Sequence, residues 1–402
     1  MPFLPEELFK APNALAAHYS RFRVGDRLLL TGHSHQAWPD VAFDGQMQAI
    51  RDAADLVDDK WERAFEAAET VRRGYRRLLG DPTGLYSLAS STHDLLVKLF
   101  SALPWKKRRR LVTTDSEFYS LERLLRRLEE EGVEVVRVAA LPAASVGERL
   151  ASEVDDRTAA VLTSTVFFSS AHIAGDLTLT ARAARRHGAA LVLDTYHQLN
   201  VVPFSLRDSD LEDAYVVSAG YKYCQLGEGN AILRFPAGSA LRPIATGWFA
   251  EFGDLAADHS RSGVRYPAGD DRFAGATYDP TSHYRASAVF EFHAAQELTP
   301  SFLRTVSQHQ IGLLVRRFED LDLDPDVIDH DRSIAVDGLG GFLALRSPRA
   351  GEIQESLKAR GVATDSRNEI LRLGPAPYLS DSQLETAMDL LGEVVKELGG
   401  RL

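Results

Sequence analysis

Seven short apolar segments that alternate with amphipathic stretches constrain the fold of this chain more than any other feature of its sequence. The segments cover residues 84–89, 110–114, 133–138, 159–164, 189–193, 214–218 and 230–235. Between them, stretches such as 121–130 and 176–187 carry apolar residues at helical spacing among charges. Apolar strands of this length joined by helices are typical of a largely parallel α/β sheet with helices on both faces. Loops that carry function are then expected at the carboxyl ends of the strands.

The flanking regions predict an N-terminal arm and a second, smaller α+β domain. Residues 1–40 are irregular and rich in Pro, Phe and Trp, and residues 42–79 have the pattern of one long helix. The last third predicts helices over 285–296, 300–321, 351–360 and 382–398 and strands over 333–336, 341–345 and 370–373. We therefore predict an arm over 1–45 that packs with the small domain, a large α/β domain over 46–285 and the small C-terminal domain over 286–402.

Composition restricts the class of partner. The chain has 402 residues, 57 acidic and 46 basic, for a net charge of -11, so no overall field favours nucleic acid or an anionic membrane. The basic run at 106–110 is interpreted as a solvated connection. No apolar stretch is long enough to span a bilayer, and the start lacks the pattern of a signal peptide. We expect a cytoplasmic protein that acts on a small molecule, with no metal.

One lysine stands out because arginine supplies most of the positive charge. Eight of the 46 basic residues are lysines, and Lys222 is the only one between Lys107 and Lys358. It follows the apolar segment 214–218, with glycines at 220, 227 and 229. A lysine in such a place can have a lowered pKa and a nucleophilic amine. The alternative is a lysine that reaches from a strand end to water.

Two other strand ends carry polar residues that suit a phosphorylated, ring-containing cofactor. Asp194 directly follows the apolar segment 189–193, where a carboxylate could hold a proton on the pyridine nitrogen of pyridoxal phosphate. It could instead cap the following turn. Ser91 and Thr92 open a helix after the segment 84–89, and helix N-terminal amides with hydroxyl groups suit a phosphate.

The order of these residues resembles the fold-type I, class V family of pyridoxal-phosphate enzymes, and within it the kynureninases. Asp194 and His197 match an Asp-x-x-His pattern, and Tyr221-Lys222 matches a Tyr-Lys pair. The segment 361–378, with Arg372, resembles the part of the family that grips the substrate carboxylate. Gly32-His33-Ser34, followed by Pro39, resembles an N-terminal Gly-Asn-Ser stretch.

The resemblance implies a role for each matched residue. Lys222 would hold the cofactor as a Schiff base and later remove the α proton, with Asp194 at the pyridine nitrogen, His197 close by and Phe118 stacked on the ring. Tyr221 would donate a proton to the carbanion. The implied phosphate ligands are Ser91, Thr92, Tyr221, Trp248 and Thr277. The implied substrate contacts are Arg372, His33, Ser34 and Tyr278.

The resemblance also implies an assembly and a reaction. Fold-type I enzymes usually build their pockets from two subunits, so it implies a homodimer with shared active sites. The kynureninase reaction breaks the Cβ–Cγ bond of an aryl-keto amino acid and yields alanine and an aryl acid.

Departures from the family pattern leave other activities open. Leu121 stands where the family has Asp, and His33 stands where it has Asn. A class V aminotransferase, another lyase, an epimerase or a non-enzymatic protein that keeps the pocket remain alternatives. A cysteine desulfurase is excluded because Cys224, the single cysteine, lies two residues after the lysine. His33-Ser34-His35 also allows a zinc amidohydrolase barrel, with His172 or His197 as a further ligand.

Overall fold

The computed structural model describes residues 3–254 and 263–399. The strands are β1 (Leu28–Leu29), β2 (Leu85–Ala89), β3 (Arg110–Thr114), β4 (Glu134–Val138), β5 (Thr158–Ser164), β6 (Ala190–Asp194), β7 (Tyr215–Ser218), β8 (Ala231–Phe235), β9 (Asp329–His330), β10 (Leu343–Arg346), β11 (Val362–Ala363), β12 (Asp365–Arg367) and β13 (Ile370–Leu373). The α-helices are α1 (Pro5–Phe9), α2 (Val41–Leu56), α3 (Lys60–Leu78), α4 (Thr92–Ser101), α5 (Tyr119–Glu130), α6 (Val146–Glu153), α7 (Thr178–His187), α8 (Thr281–Ala295), α9 (Pro300–Asp320), α10 (Ala350–Ala359) and α11 (Asp381–Gly399).

The central sheet has seven strands in the order β2-β8-β7-β6-β5-β3-β4. β8 pairs antiparallel with both of its neighbours, and the other pairs are parallel. Alternate residues of one strand enter different cores: Leu191 and Leu193 face one cluster and Val192 the other. Helices α6 and α7 cover the first face, and α4 and α5 cover the second. The predicted α/β class is therefore confirmed, and it follows from strands that are apolar on both sides.

A second, antiparallel sheet in the order β12-β13-β10-β9 packs with α9, α10 and α11. The same core includes Leu8, Leu15 and Tyr19 from the start of the chain. β1 pairs in parallel with β11, so backbone hydrogen bonds join the two ends of the chain. An α+β arrangement of the C-terminal region is therefore present, with N-terminal residues in its core.

Two predicted elements were wrong in detail. Residues 42–79 form two helices because the chain turns at Val57, whose φ is 50°, before α3 begins. Residues 333–336 are not a strand: the Asp331 side chain accepts a hydrogen bond from Ser333 N at 2.8 Å and holds a turn. In both places a turn interrupts or replaces the regular element that the sequence pattern predicted. No helix within the two described ranges is both long enough and apolar enough to cross a membrane.

A fully buried ion pair joins the loop before β2 to β8. Arg234 Nε donates to Asp81 Oδ2 at 2.6 Å, and Nη2 donates to Oδ1 at 3.2 Å. The Tyr86 hydroxyl donates to the same carboxylate at 2.9 Å, and Arg234 also donates to the carbonyls of Glu212 and Ala214. The antiparallel strand β8 is thus fixed to its neighbours by charge as well as by the sheet.

Replacing one member of this pair should be strongly destabilising. We expect Asp81→Ala to lower the free energy of unfolding by about 3–5 kcal/mol, because it leaves the Arg234 guanidinium buried without its counter-ion. Chemical denaturation measures this. Arg127→Ala, which removes an exposed pair with Glu131, is the control and should leave stability nearly unchanged. Equal effects of the two substitutions would contradict the prediction.

Candidate functional site

Most of the site residues predicted from the sequence lie along the carboxyl edge of the central sheet. Asp194 is the last residue of β6, and Ser164, the last residue of β5, is its register partner. Lys222 lies four residues after β7, and Phe118 lies four residues after β3. The parallel order of these strands brings the residues to one edge, as expected for such a sheet.

Lys222 has its amine buried among aromatic rings. Its side chain is 5% exposed, and Nζ lies 2.6 Å from His197 Nε2. Nζ also lies 4.6 Å from the ring centroid of Tyr196 and 5.6 Å from that of Phe118. Burial lowers the pKa of Lys222, while the carboxylate of Asp194 acts in the opposite direction. A deprotonated, nucleophilic amine is therefore easier to reach here than on a surface lysine.

Asp194 faces this amine and also serves the turn that follows it. Its Oδ1 accepts a hydrogen bond from Tyr196 N at 2.9 Å, so the turn-capping role considered from the sequence is present. Its other oxygen accepts no hydrogen bond from the residues that the structure describes. Burial raises the pKa of Asp194, and Lys222 lowers it. One carboxylate oxygen therefore remains available to a ligand.

His197 and Tyr221 complete the surroundings of Lys222. Burial, followed by Lys222, lowers the pKa of His197, so its ring is neutral and its Nε2 can accept a hydrogen bond from the lysine amine. Tyr221 stacks on His35 with ring centroids 4.6 Å apart, and its ring stands perpendicular to that of Tyr196. Burial raises the pKa of Tyr221, which keeps its hydroxyl protonated.

Arg372 is buried on β13 and already has an ionic partner. Its Nη2 lies 2.9 Å from Asp365 Oδ2, and its Nη1 donates to the carbonyl of Phe168 at 3.0 Å. Its Nε is buried and has no hydrogen-bond partner among the described residues. Arg372 is among the groups that lower the pKa of Lys222, so the two cations are close enough to affect one another.

His33 is held close to β13, the strand that carries Arg372, by backbone hydrogen bonds between distant parts of the sequence. Gly32 N donates to Gly374 O at 2.7 Å, and Gly374 N donates to Leu30 O at 2.8 Å. The His33 ring is fully buried, lies 4.9 Å from the ring of Phe342, and neither nitrogen has a partner in the described part of the chain. Burial, then Arg372, lowers the pKa of His33, so the ring is neutral. Ser34 is half-buried, and its hydroxyl lies 3.1 Å from His35 Nδ1.

A second group of predicted site residues, Trp248, Thr277 and Tyr278, makes no contact with Lys222 within the described part of the single chain. Trp248 Nε1 donates to Thr277 Oγ1 at 3.2 Å, and both residues are exposed. The Tyr278 ring packs against Trp61 and Phe249. No contact that the described residues make joins Tyr278 to Arg372 or His33, with which the sequence grouped it.

The start of α4 borders this second group. Ser91 caps the helix by accepting from Asp94 N at 3.2 Å, and Thr92 is its half-buried first residue. A groove of about 430 Å³ extends from the α4 start to Tyr278. The Ser90 hydroxyl donates to Asp94 at 2.7 Å, which places a carboxylate near the helix amides.

Three residues of the site were missed from the sequence. Glu117 is buried beside Ser164, Tyr196 packs over Lys222, and Asp365 pairs with Arg372. Tyr196 lies inside a segment that had been singled out, so its position two residues after Asp194 was a usable signal. Asp365 lies inside the segment 361–378 that had been singled out with Arg372, so it too had a usable signal. Glu117 carried no signal, because its partner Ser164 is distant in sequence.

One of the two departures from the family pattern, Leu121, has a structural explanation. Leu121 is 2% exposed and lies in the same core as Leu125, so its side chain packs in the hydrophobic core. Cys224 is buried, and burial raises its thiol pKa to about 12.

The sheet is open and contains an antiparallel strand, so the barrel required by the zinc alternative does not form. Residues 3–254 and 263–399 contain no cluster of three or more His, Cys, Asp or Glu side chains suited to a metal ion.

Comparisons with known proteins agree on the fold. No family model matches the chain. An uncharacterised aminotransferase, YcbU of Bacillus subtilis (strain 168), is 22% identical over 351 residues, which are 85% of this chain and 88% of the relative.

Solved structures give the same result. A variant of C-DES with glycine covalently linked to its PLP cofactor superposes with a TM-score of 0.79 at 14% identity, covering 94% of this chain and 98% of that one. The apo cysteine desulfurase of Thermococcus onnurineus NA1 also has a TM-score of 0.79 at 14% identity, covering 96% and 98%. A complex of the cystine C-S lyase C-DES with cysteine persulfide has a TM-score of 0.76 at 13% identity, covering 92% and 98%. The chain therefore has the fold of the fold-type I, class V pyridoxal-phosphate enzymes.

Proposed function

We propose that this chain is a class V pyridoxal-phosphate enzyme that cleaves the Cβ–Cγ bond of kynurenine or a related aryl-keto amino acid. The observation that carries the proposal is the buried amine of Lys222 beside Asp194, on the side of the sheet where Arg372 and a set of aromatic rings converge. The fold, shared with proteins whose structures contain this cofactor, supports it.

The residues present fit pyridoxal phosphate. Lys222 offers an amine with a lowered pKa, and Asp194 has a free carboxylate oxygen one strand away. Buried polar atoms around them lack hydrogen-bond partners in the described ranges, including the hydroxyl of Ser218 at the end of β7. Such atoms are costly unless a polar ligand meets them. The cofactor, when bound, supplies an aldehyde that joins to an amine and a protonated ring that withdraws electrons from the α carbon.

Each residue of the site would then have its own role in the reaction. Lys222 Nζ accepts and returns protons, and His197, 2.6 Å away, orients it. Phe118 would pack against the cofactor ring, and Asp194 would accept a hydrogen bond from its protonated nitrogen. Tyr221, whose hydroxyl stays protonated, would donate a proton to the substrate carbon atom at which the Cβ–Cγ bond is cleaved.

Arg372 would bind the substrate carboxylate. Its Nε has no partner among the described residues, and its guanidinium is held in place by Asp365 and by the carbonyl of Phe168. A guanidinium oriented in this way presents a free N–H to an incoming carboxylate. Asp365 neutralises the buried charge until the substrate arrives.

The aromatic lining supports an aryl substrate. Phe168 and Phe342 each lie about 6 Å from the Arg372 guanidinium, and the Phe168 ring meets Phe118 with centroids 5.6 Å apart. His33 is neutral, with two free ring nitrogens, and can exchange hydrogen bonds with polar groups on an aromatic ring.

Two relatives favour other class V reactions, a transamination or a C–S lyase reaction, as the second candidate. YcbU is named an aminotransferase, and C-DES is named a cystine C-S lyase. A cysteine desulfurase does not fit, because the single cysteine, Cys224, is buried and its thiol pKa is raised.

A homodimer with shared active sites is part of the proposal. Trp248 is 44% exposed and Thr277 is also exposed, and in the single chain their contacts do not reach Lys222. The family resemblance assigns the Thr277 position to the phosphate of the opposite subunit. An exposed pair beside the start of α4 agrees with that assignment.

The activity test uses purified protein supplied with pyridoxal phosphate and either kynurenine or 3-hydroxykynurenine. We expect alanine and the corresponding anthranilate in equal amounts, and we expect Lys222→Ala to lose both turnover and the covalently attached cofactor. Pyruvate or a keto acid from other amino acids, with no anthranilate, would favour the second candidate. Absence of cofactor binding by the wild-type protein would overturn the whole proposal.

Arg372→Gln tests the carboxylate contact. We expect kcat/KM to fall by about 10- to 100-fold, because a charge-assisted hydrogen bond contributes about 1.5–3 kcal/mol. For a substrate analogue without the α-carboxylate, the kcat/KM values of the variant and the wild type should be nearly equal. Arg346→Gln, on the neighbouring strand β10 with an exposed side chain, is the matched control. Equal losses with both substrates would contradict the assigned role.

A further inference from the structure

Glu117 is a buried carboxylate that the proposed mechanism does not use. It lies in the loop from β3 to α5, next to Phe118, and is 5% exposed. Its Oε1 accepts hydrogen bonds from the Thr114 hydroxyl at 2.6 Å and from Ser164 N at 3.2 Å, and its Oε2 accepts from the Ser164 hydroxyl at 2.7 Å. These three donors are neutral. Among residues 3–254 and 263–399, no Lys, Arg or His forms an ion pair with it.

The same hydrogen bonds connect Glu117 to Asp194. Ser164 ends β5 directly opposite Asp194 in the parallel register, and the following residue, Thr165, donates to the Asp194 carbonyl at 2.9 Å. Glu117 is therefore anchored to the residue beside Asp194. Two carboxylates so placed, with Glu117 buried and Asp194 only partly exposed, oppose each other's ionisation.

The charged groups around Glu117 are few. Thr114 and Ser164 contact it from β3 and β5 and are neutral, and Asp194 on β6 is the ionisable group that affects it. Beyond Asp194 lies Lys222. Burial raises the pKa of Glu117 to about 7, and Asp194 raises it as well, so its charge changes near neutral pH.

We propose that Glu117 is a positioning residue whose charge, acting on the neighbouring Asp194, sets how strongly the site holds the protonated ring of the cofactor. The inference rests on the proposed function, which places Asp194 at the ring nitrogen. With Glu117 ionised, a second negative charge stabilises the ring cation. With Glu117 protonated, Asp194 alone does so.

Glu117→Gln separates charge from geometry. The glutamine oxygen can still accept from Thr114 and from Ser164 N, and its amide can donate to the Ser164 hydroxyl. The variant therefore keeps the anchored loop and remains neutral at every pH. Glu130→Gln on α5, an exposed residue paired with Arg127, is the matched control.

The test is the dissociation constant of pyridoxal phosphate, measured by titration of cofactor-free protein between pH 6 and pH 8.5. We expect Glu117→Gln and the wild type to bind equally at pH 6, and the variant to bind about threefold to tenfold more weakly at pH 8.5. Glu130→Gln should follow the wild type throughout. A loss that is the same at every pH would show a structural role only and would overturn the inference.

Cofactor-free protein provides a second readout. Native Glu117 keeps its proton up to a higher pH than the unfolded chain does, so it lowers stability as pH rises from about 4.5 to about 7. The Tm of Glu117→Gln relative to wild type should therefore increase between pH 5 and pH 8. A constant Tm difference would count against the inference.

Failure of wild-type protein to bind the cofactor would overturn the proposed function and this inference together. Normal binding with no pH-dependent difference between the variant and the wild type would overturn the inference alone.

Discussion

The burial of the Lys222 amine is the constraint on which the rest of the site depends. An ammonium group taken out of water is unstable unless opposite charge or hydrogen-bond acceptors surround it. Here the compensation comes from Asp194 on the adjacent strand, from the neutral ring of His197 and from the faces of Tyr196 and Phe118. The compensation is incomplete, and the lowered pKa that results makes this lysine different from the other basic residues of the chain.

The second constraint is that one half of the site comes from the ends of the chain. Arg372 belongs to the antiparallel sheet, and His33 reaches it because β1 pairs with β11 and Gly32 and Gly374 exchange backbone contacts. Both side chains are buried and polar, and each retains nitrogen atoms without partners in the described part of the chain. The edge of the central sheet thus supplies the Lys222 amine, whereas the segments joined by β1 and β11 bring together Arg372 and His33, to which we assign substrate contacts.

Much of the fold could be predicted because the inner strands are apolar on both sides, and four of them, β3, β5, β6 and β7, end in a polar residue. β3 and β13 begin and end where expected, and β6 differs by one residue at each end. Lys222, Asp194 and His197 could be grouped because parallel strands place their carboxyl ends together. Glu117 could not, since a buried carboxylate is recognised by its partners, and Ser164 becomes its neighbour only in the folded chain. The break at Val57 and the turn at Ser333 were missed because side-chain periodicity carries no information on backbone dihedral angles.

The pairing of β1 with β11 has a consequence for the order in which the protein can form during synthesis. The seven strands of the central sheet lie within residues 85–235, so this sheet can assemble while later residues are still being added. The contact between Gly32 and Gly374 joins residues 342 positions apart and must wait until Gly374 has left the ribosome. The part of the nascent chain that contains Lys222 can therefore fold before Arg372 and His33 come together, and the unpaired N-terminal segment remains exposed throughout that interval.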